Sequence, residues 1–581
     1  MVLVPKSRID EYTARGWWGQ VTLWDHFVRN VAAFGSREAV VDAPNRQDFA
    51  HGAPQRLTWQ ELSTAVDLFC HVLIKRQIKR DDILVVMLPN CVEQFMVYLA
   101  CARLGVIVTP VPAQYREHEL DHILRQTQAV AAVTFGRIGS TTHGHAAAHM
   151  FDQLRSTHAS LQSVFAWGES LPDRAINLSQ LMEQPLTEHG RLQVLEASTA
   201  AAVTANDVFT ICWTSGTEAQ PKGVPRSHNE WLIVAPSIIE AGVLAGGARL
   251  LNPFPFVNMA GLSTAFAGWL VLGGTVVQHH PFKLDVFLQQ LREERIDYTV
   301  APPAVLNKLL QNEELLEGID FQRLSRIGSG AAPLSEWMVK GFADKYGVQI
   351  VNYFGSNEGA ALSGNDIDIP NPALRAQFFP RAGVEAFNWS VSTTRKIKTR
   401  LVSVETGEDI DKAGEPGELR FSGPTVFSGY YLAPALTQRA FDEHGYYKTG
   451  DLFEIAGEQA QYYRYVGRSK DLVIRGGMNI SSEEIEGLLA GCRGVREVAV
   501  VGVPDPVLGE KLCVCVAPAD DHCPTLTELN AYLQDVQRVA AYKLPEYLLQ
   551  VSALPRNPVG KVLKRVLRDQ AKSLAPQMEV A

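Results

Sequence analysis

Short apolar, β-branched runs alternate with amphipathic stretches of helical period over the first two thirds of the chain, the order that builds a parallel, doubly wound sheet. Leu57-Thr-Trp59-Gln-Glu-Leu62 opens an amphipathic helix, and Asp82-Ile-Leu-Val-Val-Met-Leu88 reads as a strand. Pro89-Asn90 starts a helix with Val92, Phe95, Met96, Leu99, Ala100 and Ala102 on one side, and Gly105 ends it before a strand at residues 106–109. Similar units recur around residues 129–134, 274–277 and 297–300, whereas residues 139–205 carry no pattern regular enough to assign. Near Gly423 the pattern changes to short strands and glycine turns, through Gly417-Glu-Leu-Arg-Phe421 and residues 462–466. Beyond Lys470 come a helix at 483–489, strands at 495–501 and 512–516, a helix at 526–536 and a strand at 548–551, a small α+β unit of ordinary domain size. The expected organisation is α/β: a large N-terminal unit over residues 1–467, a linker at 468–471, and a small C-terminal α+β unit over 472–581.

Composition narrows the setting. The 581 residues are 46% hydrophobic and 20% charged with a net charge of −9, and no dense basic block is present, which argues against a nucleic-acid-binding protein. The eight cysteines are scattered without metal-ligand spacing, as in a reduced, cytoplasmic protein. The most membrane-like segment, residues 260–277, is broken by Gly268 and Gly273-Gly274 and reads as a buried helix followed by a strand rather than a membrane span.

The chemistry is concentrated in a few loops. Val208-Phe-Thr-Ile-Cys-Trp-Thr214 predicts a buried strand whose end delivers Thr214, Ser215, Gly216, Thr217 and then Lys222, at the place where open α/β sheets bind ligands. Hydroxyl donors, glycines that admit a close backbone approach and one mobile cation suit a polyphosphate; a Ser/Thr-rich surface turn is the plain alternative. The loop is not a Walker A motif, because Pro221 and Val224 stand where a glycine and a Mg²⁺-binding hydroxyl belong. Glu358, at the end of Val351-Asn-Tyr-Phe-Gly-Ser-Asn-Glu-Gly359, is a lone carboxylate suited to Mg²⁺ or to an ordinary turn. Asp451 in Tyr447-Lys-Thr-Gly-Asp-Leu452 can accept from both hydroxyls of a ribose or sit in a turn, and Arg468 suits phosphate, ribose or an interdomain salt bridge. Lys561, after the Pro/Gly loop Leu554-Pro-Arg-Asn-Pro-Val-Gly, is by itself a solvated lysine, and His279-His280 reads as surface or strand-end histidine.

Taken in order, these stretches, together with Gly467-Arg-Ser-Lys-Asp471, resemble the signature of the AMP-forming acyl/aryl-CoA synthetase, adenylation-domain and luciferase superfamily, and most of all an acyl-CoA synthetase. The resemblance runs from Leu57 to Leu567; Gly328-Ser-Gly-Ala-Ala-Pro-Leu334 is similar to the family's adenine-side loop and Gly476-Gly-Met-Asn-Ile-Ser481 to its post-hinge element. It implies doubly wound sheets with a small β-barrel-like part, and a mobile C-terminal domain. It also implies a two-step ligase: a carboxylate attacks the α-phosphate of MgATP, giving an acyl-adenylate and pyrophosphate, and the thiol of coenzyme A then displaces AMP. A carrier-protein pantetheine is the alternative thiol, and a catalytically silent nucleotide- or acyl-binding relative the alternative outcome.

On the family pattern Thr214, Ser215, Gly216, Thr217 and Lys222 cradle the outgoing phosphates, and Glu358, with Thr217, holds Mg²⁺. Gly330, Ala331, Ala332 and Tyr353 line the adenine, Asp451 and Arg468 serve the nucleotide, and Lys561 bridges α-phosphate and carboxylate. Lys470 matches the hinge and Gly477 the thiol tunnel. Asn258, Met259, Gly261 and Ser329 form part of a mainly apolar acid pocket that favours a fatty, alicyclic or aromatic monocarboxylate over an amino acid. The sequence departs from the pattern at Glu218-Ala219, at Asn357 in place of a threonine beside the metal ligand, and at Asn258 in place of a histidine. Residues 387–402, polar and basic, do not align and read as a solvated face.

Overall fold

The computed structural model describes residues 1–139, 144–214, 221–468, 471–475, 478–505, 508–519, 523–537, 539, 541–557 and 560–574. Two sheets carry the large unit. One has seven strands in the order Ile176–Asn177, Ser163–Trp167, Ala131–Phe135, Ile83–Met87, Ile107–Pro110, Val208–Thr214, Lys222–Ser227, all parallel except the last pair. The other has eight, in the order Ala361–Gly364, Gln349–Gly355, Arg326–Gly330, Tyr298–Val300, Arg249–Asn252, Thr275–Gln278, Glu38–Val41, Arg56–Thr58, with antiparallel pairs only at its two edges. This is the doubly wound arrangement that the alternation predicts, and the unassigned stretch 139–205 contributes two edge strands and three short helices to it.

One hydrophobic core joins the two sheets through the helices between them. Trp59, at the start of the capped helix Trp59–Lys75, stacks on Trp269 with centroids 4.6 Å apart, and Phe95 meets the same indole edge-on at 5.0 Å. Trp269 belongs to the mainly apolar path Met259–Leu272, which is buried over Gly261–Leu270 and runs into the strand Thr275–Gln278, as the glycine breaks predict. Among the described residues no helix is long and apolar enough to cross a membrane. None of the eight cysteines is in a disulfide.

A five-stranded antiparallel sheet forms the small β part, in the order Phe378–Pro380, Tyr462–Arg468, Tyr447–Ala456, Gly417–Ser422, Lys398–Val402. Phe354, at the end of an eight-stranded-sheet strand, joins it to the large sheets by packing on Phe453 at 5.1 Å and on Tyr465 at 6.2 Å. The basic run at 387–402 is therefore not simply a solvated face: Lys398–Val402 is an edge strand, Arg400 donates to Asp409 and Asp442, and Val391 is buried against Tyr353. The strand Tyr462–Arg468 leads into the C-terminal α+β unit, where helix Ser482–Leu489 and the terminal helix Lys564–Leu574 pack on the long strand Val495–Asp505. His279 is likewise buried rather than at the surface, with Nδ1 2.7 Å from Gln290 Oε1.

The helix Val92–Leu104 departs from its expected one-sided pattern. Gly105 ends it as predicted, in a left-handed cap with φ 69°, but the helix is buried on all sides. Its polar side is held by Arg46, whose guanidinium donates to Asp42 at 2.5 Å and to both oxygens of Glu93; Asp42 in turn accepts from the Val92 amide at 2.9 Å. Arg46, Asp42 and Glu93 are all buried. Removing one charge of such a network strands the others, at a cost of about 3–5 kcal/mol. Arg46→Ala is expected to lower the denaturation midpoint by an amount in that range, far more than loss of the exposed pair Lys6–Asp10, when both variants are followed by circular dichroism in urea.

Candidate functional site

The strand Val208–Thr214 turns back into Lys222–Ser227, with Thr214 directly opposite Lys222. Ser215, Gly216, Thr217 and Glu218-Ala219 lie outside the described residues. The base of the hairpin is fixed from both sides: the Trp213 indole donates to Thr109 Oγ1 at 3.3 Å, and His122 Nε2 lies 3.0 Å from the Pro221 carbonyl. The Lys222 ammonium sits 5.4 Å from the centroid of the Tyr430 ring, a cation–π distance. Tyr431, the next residue, donates its amide to the Gly223 carbonyl at 2.8 Å.

Four residues beyond Lys222 the same strand carries Arg226, which has no accessible surface. Its guanidinium donates to the carbonyls of Asn357 (3.0 Å), Thr425 (2.9 Å) and Glu230 (2.8 Å), tying the phosphate strand to the Glu358 loop and to the 423–431 loop. Burial pulls its pKa down, with Glu230 and Glu358 among the charges that oppose this. Gly359, at φ +93°, lets the loops meet, since a Cβ there would collide with the Thr425 carbonyl.

Glu358 is buried, and its Oε1 accepts from the Tyr430 hydroxyl at 3.0 Å. Burial pushes the Tyr447 phenol well above the ordinary value, with the nearby Glu358 carboxylate, Tyr430 and Asp451 adding to the shift. Asn357, one residue before Glu358, faces the other way: its Oδ1 accepts from the Met259 amide at 2.7 Å, at the start of the apolar path Met259–Leu272. Asn258 caps that start through Oδ1 to the Gly261 amide at 3.3 Å, and Gly261 is packed against Pro255 too closely for a Cβ. An asparagine at 357 thus spans a gap to the helix start, and the asparagine at 258 caps it.

Across the sheet, the strand Arg326–Gly330 pairs with Gln349–Gly355, placing Gly330 beside Tyr353. The Tyr353 and Tyr298 hydroxyls meet at 2.8 Å, and a Cβ on Gly328 would lie 2.5 Å from the Tyr298 hydroxyl. Ala331 turns the chain at φ +66°, and Ala332 follows it in an exposed turn. Ser329 is buried with Oγ donating to the Ala301 carbonyl at 2.8 Å, so it lends shape rather than a free hydroxyl.

Asp451 and Arg468 are cross-strand neighbours joined at 3.0 Å. Tyr465 stands beside them, 3.5 Å from Asp451 Oδ1 and 3.3 Å from Glu483 Oε1, so a residue of the C-terminal helix Ser482–Leu489 reaches the edge of the Asp451 site. The second oxygen of Glu483 is enclosed and has no hydrogen-bond partner, and a Cβ on Gly467 would come within 2.8 Å of it. Lys564 of the terminal helix pairs with Glu486 at 2.7 Å, and Arg568 with Asp471 at 3.3 Å. Lys561 is exposed in a tight turn, its amide donating to Asn557 Oδ1 at 2.8 Å. Lys470 and Gly477 lie outside the described residues.

The structure therefore gathers Lys222, Asn357, Glu358 and the start of the 259–272 path into one network, and joins Asp451 to Arg468 across the neighbouring strands. Sequence reasoning missed Arg226, Tyr430, Tyr447, Tyr465 and Glu483. The signal for Tyr430 was the Gly429-Tyr-Tyr431 step between two recognised motifs; nothing in the sequence marks Arg226 as buried.

Comparison with known proteins agrees with this geometry. Residues 27–431 match the family described as AMP-binding enzyme, and residues 484–561 the AMP-binding enzyme C-terminal domain. The chain is 29% identical to a 2-hydroxy-7-methoxy-5-methyl-1-naphthoate–CoA ligase of Streptomyces carzinostaticus, covering 98% of this chain and 96% of the relative. It is 28% identical to the medium-chain fatty-acid–CoA ligase of Escherichia coli (strain K12), covering 97% and 93%. Its fold matches ATP-bound MatB from Rhodopseudomonas palustris with a TM-score of 0.75 over 95% of this chain and 100% of that one, at 23% identity.

Burial pushes the Glu483 carboxyl up to about 7, the carboxylates of Glu486, Asp471 and Asp451 adding to the shift and Lys564 opposing it. A carboxyl whose value is raised in the docked state binds its proton more tightly there, so its contribution to docking is full below its ordinary value of 4.5 and declines as pH rises toward about 7. Trypsin cleavage after Arg468 or Arg475, corrected with a peptide substrate, is expected to accelerate between about pH 5 and pH 8, and Glu483→Gln to flatten that rise.

Proposed function

The chain belongs to the AMP-binding enzyme family and is an ATP-dependent, AMP-forming acid–thiol ligase, and we propose that the network around Glu358 is where it joins the acid to the nucleotide. The observation that carries this reading is the adjacency of Asn357 and Glu358, which face the apolar path from Met259 on one side and the Tyr430–Lys222 pair on the other. Consecutive residues thereby address the carboxylic acid and the phosphates.

Charge is the first problem of the adenylation step, because two anions must meet. Lys222, with Thr214 and the loop that follows, clamps the outgoing pyrophosphate. Asp451 accepts the ribose hydroxyls, with Arg468 holding its carboxylate in place, and Gly330 to Ala332 and Tyr353 form the adenine wall. Glu358 suits Mg²⁺: it is buried with one oxygen already oriented. Among the described residues no group of three or more His, Cys, Asp and Glu offers an all-protein cage, consistent with an ion that keeps phosphate and water ligands. When bound, the ion supplies positive charge to phosphate oxygens.

The path from Met259 to Leu272 is mainly apolar and carries no charged side chain, and a fatty, alicyclic or aromatic monocarboxylate fits it better than an amino acid, whose ammonium would need a buried acidic partner. The thiol is that of free coenzyme A, in the cytoplasm, where unpaired thiols persist. Residues 472–581 act as a swinging unit about 468–471, bringing Lys561 to the α-phosphate for adenylation and the Gly477 face to the site for thioester formation.

Two measurements test this. ATP–pyrophosphate exchange over a panel of fatty, alicyclic, aromatic and amino acids is expected only with the first three, and AMP release is expected to need free coenzyme A; exchange with no acid means a silent relative, and AMP release that needs a carrier protein moves the thiol assignment. Lys561→Ala is expected to cut exchange by about a hundredfold or more, while thioester formation from supplied acyl-adenylate stays within about threefold. Equal loss in both half-reactions removes the role given to Lys561.

A further inference from the structure

Tyr430 touches both charged groups that the adenylation step depends on. Its hydroxyl donates to Glu358 Oε1 at 3.0 Å, and its ring lies under the Lys222 ammonium at 5.4 Å. The residue is itself fixed on several sides. Its amide donates to Thr437 Oγ1 at 2.9 Å, its ring meets Phe427 edge-on at 4.9 Å, and its neighbour Tyr431 is bonded through N–H to Gly223 and through its carbonyl to the Gln126 side chain. Phe427 also stacks on Phe441 and meets Tyr447 edge-on at 5.5 Å, so the phenol ring stands in a packed aromatic frame.

From this we infer that Tyr430 is a positioning residue that sets the metal-facing geometry of Glu358 and the place of Lys222 together, an inference that rests on Glu358 being the Mg²⁺ ligand. A carboxylate in a turn can rotate about its side-chain torsions; a phenol donor on Oε1 selects one orientation and leaves Oε2 as the metal-facing oxygen. The ring face does the corresponding service for the ammonium, which it attracts from 5.4 Å. The two halves of the phenol therefore act on opposite charges, and substitution can separate them.

Tyr430→Phe keeps the ring and deletes the hydroxyl, Tyr430→Ala deletes both, and Glu358→Ala removes the ligand. Isothermal titration of the full chain with MgATP, with metal-free ATP and with pyrophosphate distinguishes them. Tyr430→Phe is expected to weaken MgATP about tenfold, as loss of an outer partner of a metal ligand does, with metal-free ATP within about twofold. Tyr430→Ala is expected to weaken metal-free pyrophosphate as well, which Tyr430→Phe leaves unchanged. Should Tyr430→Ala fold poorly, Tyr430→Leu, which likewise lacks both hydroxyl and aromatic face, is expected to weaken both MgATP and metal-free pyrophosphate. If Glu358→Ala loses MgATP selectively while Tyr430→Phe changes MgATP and metal-free ATP alike, or neither, the role of Tyr430 is overturned and the Glu358 assignment stands. If Glu358→Ala leaves MgATP binding intact, the Glu358 assignment falls, and this inference with it.

Discussion

A buried guanidinium surrounded by backbone carbonyls holds the centre of this molecule together. Arg226 lies fully inside, and burying a cation is tolerable only when its donors are used. Its acceptors belong to three segments far apart in sequence, and together they bring the Lys222 strand, the Glu358 loop and the 423–431 loop to one point. A second guanidinium braces the same loop from the N-terminal helix, Arg8 donating to the carbonyls of Gly423, Val426 and Phe427. Loops have few other means of being placed so firmly, since they lack the repeating ladders of strands and helices. The aromatic frame of Phe427, Phe441 and Tyr447 then packs on what the two arginines fix.

The distribution of charge over that frame is asymmetric. Cationic Lys222 and Arg468 stand near acidic Glu358 and Asp451, but each acid is held by a hydrogen-bond donor that fixes its direction: a phenol for Glu358, a guanidinium for Asp451. The site is thus built from oriented acceptors with two held cations beside them, an arrangement suited to stabilising negative charge that relocates as a substrate reacts. The second unit meets it at Glu483, where a carboxyl is enclosed against Gly467 and one oxygen is left without a partner.

Much of the architecture was legible in the sequence because period and punctuation agreed. The strand at Val208–Thr214, the cap at Gly105 and the broken apolar segment ending in Thr275–Gln278 all fall where hydrophobic runs and glycines place them. Reading failed where tertiary partners overrode local pattern. The helix after Cys91 looks one-sided because Glu93 and Gln94 are polar, yet Arg46 allows Glu93 to be buried and Gln94 is buried beside it. The basic run near residue 398 looks solvated because its partners, Asp409 and Asp442, lie on other segments. For the site, ordered motifs pointed to the residues proposed to face the ligands, while the residues that hold them, Arg226 and Tyr430 among them, left little trace, since arginine and tyrosine are common types with no diagnostic spacing.

The peptide bond between Asn357 and Glu358 has a consequence for how such an enzyme acquires new substrates. Because the Met259 amide is held by Asn357, whatever shifts the mouth of the proposed acid pocket also pulls on the chain that carries the acidic side chain beside it, and consecutive Cα atoms are only about 3.8 Å apart. Exchanging one acid for another is therefore not a matter of cavity volume alone. Variation that keeps the first turn of the path at Met259 fixed leaves the nucleotide half untouched, whereas variation at that turn alters both halves at once. Evolutionary drift in acid preference, and any redesign of it, is channelled toward the deeper wall of the pocket, where a side chain can change size without passing strain through Asn357.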